Sequence, residues 1–318
     1  MNKRNELLFL IGASGSGKSR FTSKMTEHIT VSSDKIRKEL FNTLEKQEKA
    51  DHQLVFNELH NRIDDSIQIG DVIYDATNLN RKKRKYFYNT ILPKMSRKVD
   101  VRAVIFVEPF SVIKQNNKSK DEESQVPFDA LMRMYQTVQI PRVGVDCDDI
   151  IVKGETNFFI PGMTYTRLLN VNSLREFIGY VGPEYRKEMK NLFGPHDTPY
   201  HLESIEEHIN MCIENAGDDK VLKITAIFHD LGKSITKNGG RYFNHQFVSA
   251  MYALKAFSEV SDMPEDIKTI VLEVIYQHMN AHNGLTEKTE KSNNLDTRTI
   301  YYIQEFAKID DISRITEK

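Results

Sequence analysis

The chain has 318 residues, 39% hydrophobic and 28% charged, with 44 Lys and Arg against 45 Asp and Glu. That length implies about two domains, each able to bury its own core. A formal net charge of −1 excludes the global basic field of a duplex-binding protein, so a nucleic-acid ligand would have to be gripped locally. Cys147 and Cys212 lack a metal-binding spacing and fit a reducing compartment. No apolar run reaches membrane-spanning length, so a cytoplasmic protein with no membrane partner is expected.

Residues 1–11 have the charged-then-apolar order of a leader. The apolar run at 7–11 is too short for one and leads directly into a glycine-rich segment, so it is predicted as a buried strand. Gly12-Ala13-Ser14-Gly15-Ser16-Gly17-Lys18-Ser19 follows, which is G-x-x-x-x-G-K-[ST], the phosphate-binding loop. Its backbone N–H groups would cradle the phosphates of ATP or another nucleoside triphosphate. Lys18 would reach the β- and γ-phosphates, and the Ser19 hydroxyl would ligate Mg²⁺. A helix is expected from 18 to 25, then a β-rich piece at 29–32 and a charged helical segment from 34 to 38. Apolar residues at helical period predict a helix over 52–69. Strands at 72–75, 99–107 and 148–152 alternate with helices at 81–92 and 128–138, and a polar loop is expected at 116–125. This alternation means βαβ units and a parallel sheet with helices on both faces, occupying residues 1–155 with a lid around 110–140.

After residue 154 the pattern changes. Pro161-Gly162 marks a linker, and 156–198 reads as linker and helical connection, with short helices at 174–180 and 184–192. Residues 199–318 show helical periodicity throughout, with helices expected at 202–215, 220–229, 246–259, 265–278 and 297–315. The expected architecture is thus an α/β phosphate-loop domain followed by an all-α domain.

Ser32-Ser33-Asp34-Lys35-Ile36-Arg37 falls at the carboxyl end of the second strand, the edge where parallel sheets bind ligands. Asp34 can accept the proton of an attacking hydroxyl, and Arg37 can hold an acceptor phosphate. From spacing alone a helix-capping aspartate with a solvated arginine fits equally well. Arg81-Lys82-Lys83-Arg84-Lys85 reads first as a solvated helix face, with contact to a nucleic-acid backbone as its other use.

The phosphate loop, Ser33-Asp34-x-x-Arg37 and Asp75-Ala76-Thr77-Asn78 together resemble the P-loop 5′-hydroxyl polynucleotide kinase family over about the first half of the chain. The resemblance implies that Asp34 activates a 5′-hydroxyl and that Arg37 engages the acceptor's phosphate. It further implies that Asp75, Thr77 and Asn78 shape the acceptor side. The family's lid carries arginines that stabilise the transferring phosphoryl group. Here Lys118 and Lys120 stand in the corresponding stretch, with Arg133 as a further candidate, and lysine lacks the planar fork of arginine.

The second half holds most of the ten histidines. His208, His229-Asp230, His245, His278 and a late Asp310-Asp311 lie mostly on segments with apolar neighbours. A lone buried histidine is usually a satisfied core residue. In this order, however, they resemble the HD phosphohydrolase superfamily across nearly the whole second half. The resemblance implies a metal site of His208, His229, Asp230 and Asp310, with His245 and His278 serving a second ion; His201 and His282 are weaker candidates. Asp310 is preferred to Asp311 because it shares a helix face with Ile303, Phe306 and Ala307. Lys233 would neutralise developing negative charge. Imidazole and carboxylate donors suit Mn, Fe, Co, Ni or Zn. Such ions supply a nucleophile from water and clamp phosphate oxygens.

Fused, the two halves imply end healing of RNA or DNA. The kinase would phosphorylate 5′-OH ends, and the HD unit would remove 3′-phosphate or 2′,3′-cyclic phosphate ahead of a ligase. The other readings are a nucleoside or sugar kinase fused to an HD nucleotide phosphohydrolase, and a nucleotide-sensing regulator without turnover.

Overall fold

The computed structural model describes residues 4–42, 49–196, 202–238, 240–282 and 284–315. The chain divides into two compact units, Met1–Gly154 and Glu155–Lys318. Among the described residues no helix is long and apolar enough to cross a membrane.

In the first unit, β1 (Glu6–Ile11), β2 (Ile29–Ser32), β3 (Val72–Asp75), β4 (Asp100–Phe106) and β5 (Asp149–Lys153) form one sheet. Its order is β2-β3-β1-β4-β5, and all neighbours pair in parallel. The central β1 is buried from Leu7 to Ile11, which explains its unbroken apolar run. The helices are α1 (Lys18–Thr22), α2 (Ser33–Phe41), α3 (Lys49–Ile67), α4 (Arg81–Tyr86), α5 (Phe110–Lys118) and α6 (Phe128–Gln136). Two expectations need correction. The first helix stops at Thr22 rather than running to 25. Part of the polar loop expected at 116–125 is helical: α5 starts after Pro109 and buries Phe110, Ile113 and Asn117 at spacings of three and four. Its polar composition hid this narrow stripe. The Asn117 side chain donates to the Val126 carbonyl (2.9 Å) and accepts from its N–H (3.0 Å), closing the turn beyond the helix.

The basic run on α4 also divides differently from a solvated face. Lys82 and Lys83 are exposed, whereas Arg81 and Arg84 are buried. The Arg84 guanidinium pairs with the buried Asp146 carboxylate at 2.8 Å. It also donates to the carbonyls of Asn78 (2.7 Å) and Gln139 (2.9 Å). Arg84 therefore fastens the loop after β3 to the segment before β5. Truncating one partner leaves the other charge buried and uncompensated. Arg84→Ala is thus expected to lower stability by about 3–5 kcal/mol in denaturant unfolding, against less than about 0.5 kcal/mol for Lys82→Ala.

Among its described residues the second unit is helical apart from a small hairpin of β6 (Lys237–Asn238) and β7 (Arg241–Tyr242). Its helices are α7 (Tyr165–Leu169), α8 (Leu174–Tyr180), α9 (Pro183–Glu188), α10 (Ile205–Asn215), α11 (Lys220–Phe228), α12 (Lys233–Thr236), α13 (His245–Ser258), α14 (Glu265–Ala281), α15 (Glu287–Asn293) and α16 (Thr297–Ile312). The segment 156–198 is expected to connect two domains, but its described residues, 156–196, contribute core to this unit instead. Phe158 is fully buried, with its ring centroid 4.8 Å from that of Tyr185 and 6.1 Å from that of Phe228. The Glu259 carboxylate accepts from the N–H groups of Phe158 (2.8 Å) and Phe159 (2.9 Å). Short helices broken by Gly and Pro resemble a linker in sequence, although their aromatic side chains face inward.

Candidate functional site

The phosphate loop lies between the carboxyl end of β1 and α1. Gly15 has φ +83°, and a Cβ there would sit 2.7 Å from the Ile113 carbonyl. Glycine is therefore required for α5 to approach the loop. Asn116 of α5 donates to the Gly15 carbonyl at 2.9 Å, and the Gly12 N–H donates to the Thr77 carbonyl at 3.1 Å. Asn78, at φ +46°, donates its amide to the Leu10 carbonyl at 2.8 Å. The Asp75–Asn78 turn is thus built into the loop's frame, and Thr77 and Asn78 serve it partly through backbone and structural contacts.

The Lys18 ammonium donates to the carbonyls of Gly12 and Ala13, each at 2.8 Å. Ser19 is exposed on the first turn of α1. Asp34 opens α2 and pairs with Arg37 at 2.8 Å; the Asp34 side chain is 74% exposed, so it is open to an acceptor. Ser32 and Asp75 pair at the carboxyl edge of β2 and β3. Burial pushes the Asp75 carboxyl up, opposed by the Ser32 hydrogen bond and by Lys18. Of the three lid candidates, Lys120 reaches the loop, donating to Ser14 Oγ at 2.6 Å. Lys118 is exposed at the end of α5, and Arg133 is exposed on α6.

Burial lowers the Lys18 ammonium to about 8, with Lys120 pushing the same way and Asp75 and Asp34 opposing. Bound phosphates favour the charged form of Lys18. Nucleotide affinity should therefore be full below pH 8 and fall by up to about tenfold per pH unit above it. Calorimetric titration with ATP from pH 7 to 9.5 measures this, and Lys18→Met should abolish the dependence along with most of the binding.

Residues 7–141 match the family model described as an AAA domain. The N-terminal unit is a P-loop NTPase-type, kinase-like domain. A nucleotide with Mg²⁺ follows as its ligand. No curated protein matches the chain.

In the helical unit the ligand-type residues converge by a common local device. A capping box between Ser204 and Glu207 starts α10, whose buried stripe Ile205, His208, Ile209, Cys212 and Ile213 points inward. Asp219 caps α11, which ends immediately before His229 and Asp230. Gly232 is obligatory here: a Cβ would lie 2.2 Å from the His245 carbonyl, so only glycine lets α13 close on the His-Asp turn. His278 lies on the inner face of α14, and Asp310 on that of α16. Asp310 is 4% exposed, whereas the neighbouring Asp311 side chain is 57% exposed and pairs with Arg314.

All four imidazoles point Nδ1 at a backbone carbonyl. His208 faces Ser313 (3.0 Å), His229 faces Ala226 (2.9 Å), His245 faces Tyr242 (2.8 Å) and His278 faces Ile275 (2.7 Å). An Nδ1–H donating to each carbonyl turns Nε2 toward the centre. There His208 and His229 Nε2 lie 3.4 Å apart, and those of His245 and His278 lie 3.1 Å apart. Two nitrogens on one ion at about 2.1 Å are separated by roughly 3.0–3.4 Å. Asp230 stands between the pairs, with Oδ2 3.3 Å from His229 and Oδ1 3.2 Å from His245. Its Oδ2 is buried without a hydrogen bond of ordinary geometry, although the Lys233 ammonium is 2.6 Å away. Asp310 Oδ1 is 3.1 Å from His208 Nε2. Donor atoms of His208, Cys212, His229 and Asp310 all lie within 4.8 Å of one another, as do those of Asp230, His245 and His278. Each of these two groups could hold a divalent cation, with Asp230 standing between them.

Burial works against the charged form of Asp230, yet Lys233 and His229 hold it well below the usual carboxylate range. Burial also lowers His208, but hydrogen bonds to Asp310 and Cys212 outweigh it and hold the imidazole up at about 9. Burial, His245 and His229 keep His278 well below its ordinary value.

Sequence reasoning passed over three side chains. His196 is buried, with Nε2 3.0 Å from Lys233 Nζ and Nδ1 on the Glu203 carbonyl. Glu203 is buried, with Oε1 3.6 Å from His208 Nδ1. Cys212, set aside for lack of metal spacing, lies in the cluster 3.8 Å from His208 Nε2. The signal for Cys212 was its position four residues after His208 on one helix face. His282 Nε2 contacts Asp310 Oδ2 at 2.8 Å, which places it behind that carboxylate. His201 lies outside the described residues.

Proposed function

We propose that the chain heals broken nucleic-acid ends, phosphorylating 5′-hydroxyls with its P-loop domain and removing 3′-phosphates or 2′,3′-cyclic phosphates with its helical unit. The kinase reading is carried by the Asp34–Arg37 pair on the sheet edge that also presents Asp75 and the phosphate loop. A bound ATP would lie on the loop's N–H groups, with Lys18 turned onto the β- and γ-phosphates and Ser19 ligating Mg²⁺. Asp34 would take the proton of the 5′-hydroxyl as it attacks the γ-phosphorus. Arg37 would hold the acceptor's phosphate and fix Asp34, and Lys120 would offset charge on the transferring group.

The hydrolase reading is carried by the four inward Nε2 atoms around Asp230. His208, His229, Asp230 and Asp310 would hold one cation, and Asp230, His245 and His278 the other. The cations would supply an activated water and bind the scissile phosphate. Lys233, packed against Asp230 and His196, would bear on a phosphate oxygen. A 5′-phosphate and a 3′-hydroxyl would result, the ends that a nucleic-acid ligase joins.

The burial of Arg81 and Arg84 favours a second reading, in which the acceptor is a nucleoside or sugar and the helical unit hydrolyses nucleotides. Competition decides between them. Oligonucleotides with 5′-OH ends should accept the γ-phosphate from ATP and outcompete free nucleosides. Labelling of nucleosides alone would establish the small-molecule enzyme.

A further inference from the structure

We propose that Cys212 is itself a ligand in the helical unit's metal cluster, a thiolate that makes the position beside His208 and His229 selective for thiophilic cations. This rests on the metal-site reading above. Cys212 is fully buried and lies one helical turn after His208 on the inward stripe of α10. Its Sγ approaches His208 Nε2 to 3.8 Å. Sulfur, two imidazole nitrogens and an Asp310 oxygen all fall within 4.8 Å of one another, a His₂-Cys-Asp set of the size that a single ion spans. Asp230 Oδ2, ion-paired with Lys233 at 2.6 Å, faces the same pair, 3.5 Å from His208 Nε2 and 3.3 Å from His229 Nε2, and adds negative charge beside the position.

The two positions then differ in chemistry. His208, Cys212, His229 and Asp310 include a soft donor, whereas Asp230, His245 and His278 offer only nitrogen and oxygen. Soft thiolate favours Zn²⁺, Co²⁺ or Fe²⁺ over Mn²⁺ or Mg²⁺. Binding forms a metal–sulfur bond and releases the thiol proton to solvent, so the thiolate adds one negative charge beside the cation. The other role for this thiol is an S–H donated to His208, which leaves no sulfur on the metal.

Cobalt distinguishes the two. The metal-stripped full-length chain is titrated with Co²⁺, together with Cys212→Ser and, as control, Cys147→Ser in the other unit. The expected result is an intense near-ultraviolet sulfur-to-cobalt charge-transfer band in wild type and Cys147→Ser. The band should be absent in Cys212→Ser, whose Co²⁺ and Zn²⁺ affinities at that position should fall about tenfold or more while Mn²⁺ affinity changes little. X-ray absorption at the cobalt edge of the wild type needs no variant and should show a sulfur neighbour at about 2.3 Å. Visible cobalt bands without charge transfer, or a wild-type edge spectrum without sulfur, would overturn the assignment of Cys212 while leaving the metal site intact. Failure of wild type to bind Co²⁺, Zn²⁺ and Mn²⁺ alike would overturn the metal-site reading and this assignment with it.

Discussion

Asp230→Ala is expected to lower phosphate release from 3′-phosphate ends by at least about 100-fold while leaving 5′-phosphorylation at its wild-type rate. The expectation follows from its position. Asp230 is the carboxylate whose two oxygens face both histidine pairs, so in the proposed two-cation site its removal would take a donor from each cation at once. Groups that only orient a metal ligand already cost about 10–100-fold in affinity or activity when removed, and a direct ligand, as Asp230 is proposed to be, should cost at least as much. The same change strips Lys233 of its partner at 2.6 Å and leaves that buried ammonium uncompensated, so some loss of stability accompanies it. Circular dichroism on the variant separates that cost from the chemical one. Wild-type kinase activity in the same preparation checks the P-loop domain. Equal loss of both activities would indicate unfolding rather than a lost ligand.

Asp34→Ala is expected to have the converse effect. A positioned general base contributes about 10²–10⁴-fold, so the phosphorylation rate should fall by that range with little change in ATP affinity and none in phosphate release. Asp34 is also the ion-pair partner of Arg37 at 2.8 Å, so acceptor binding should weaken as Arg37 loses its anchor. Steady-state kinetics with ATP and with the acceptor varied separately measure both. A rate unchanged by Asp34→Ala would move the base to another carboxylate. Asp75 is the nearest candidate, because burial raises its pKa and it acts on Lys18 directly.

The P-loop domain was legible because its signals are local. An apolar run, a glycine-rich loop with Lys18 and Ser19, and strand-helix alternation each depend on neighbours in sequence, and the parallel sheet followed from them. Asp310 was separable from Asp311 by helix face alone, and the structure places Asp310 inward and Asp311 outward. What stayed hidden depends on contacts between distant segments. Arg84 reads as a surface cation in a five-residue basic run; only Asp146, 62 residues on, turns it into a buried tie. Phe158 and Tyr185 lie among Gly and Pro breaks that mimic a linker, and their burial is visible only against Phe228 and Tyr252. Cys212 has no cysteine-to-cysteine metal spacing, whereas its partners are His208 on its own helix, His229 just beyond the next, and Asp310. Lys118 and Lys120 were equivalent in sequence, with Arg133 ranked behind them. Lys120 differs because the chain turns back after α5 and brings its ammonium to Ser14.

The central claim is that one chain performs both end reactions on a single class of substrate. Its most direct measurement uses matched RNA and DNA oligonucleotides bearing a 5′-hydroxyl and a 3′-phosphate, incubated with labelled ATP and a divalent metal. Both ends are then analysed in the same reaction. Label at the 5′ end and inorganic phosphate from the 3′ end are expected, the first lost in Asp34→Ala and the second in Asp230→Ala. Labelled nucleoside with untouched oligonucleotides, or no turnover at either end with any metal, would contradict it.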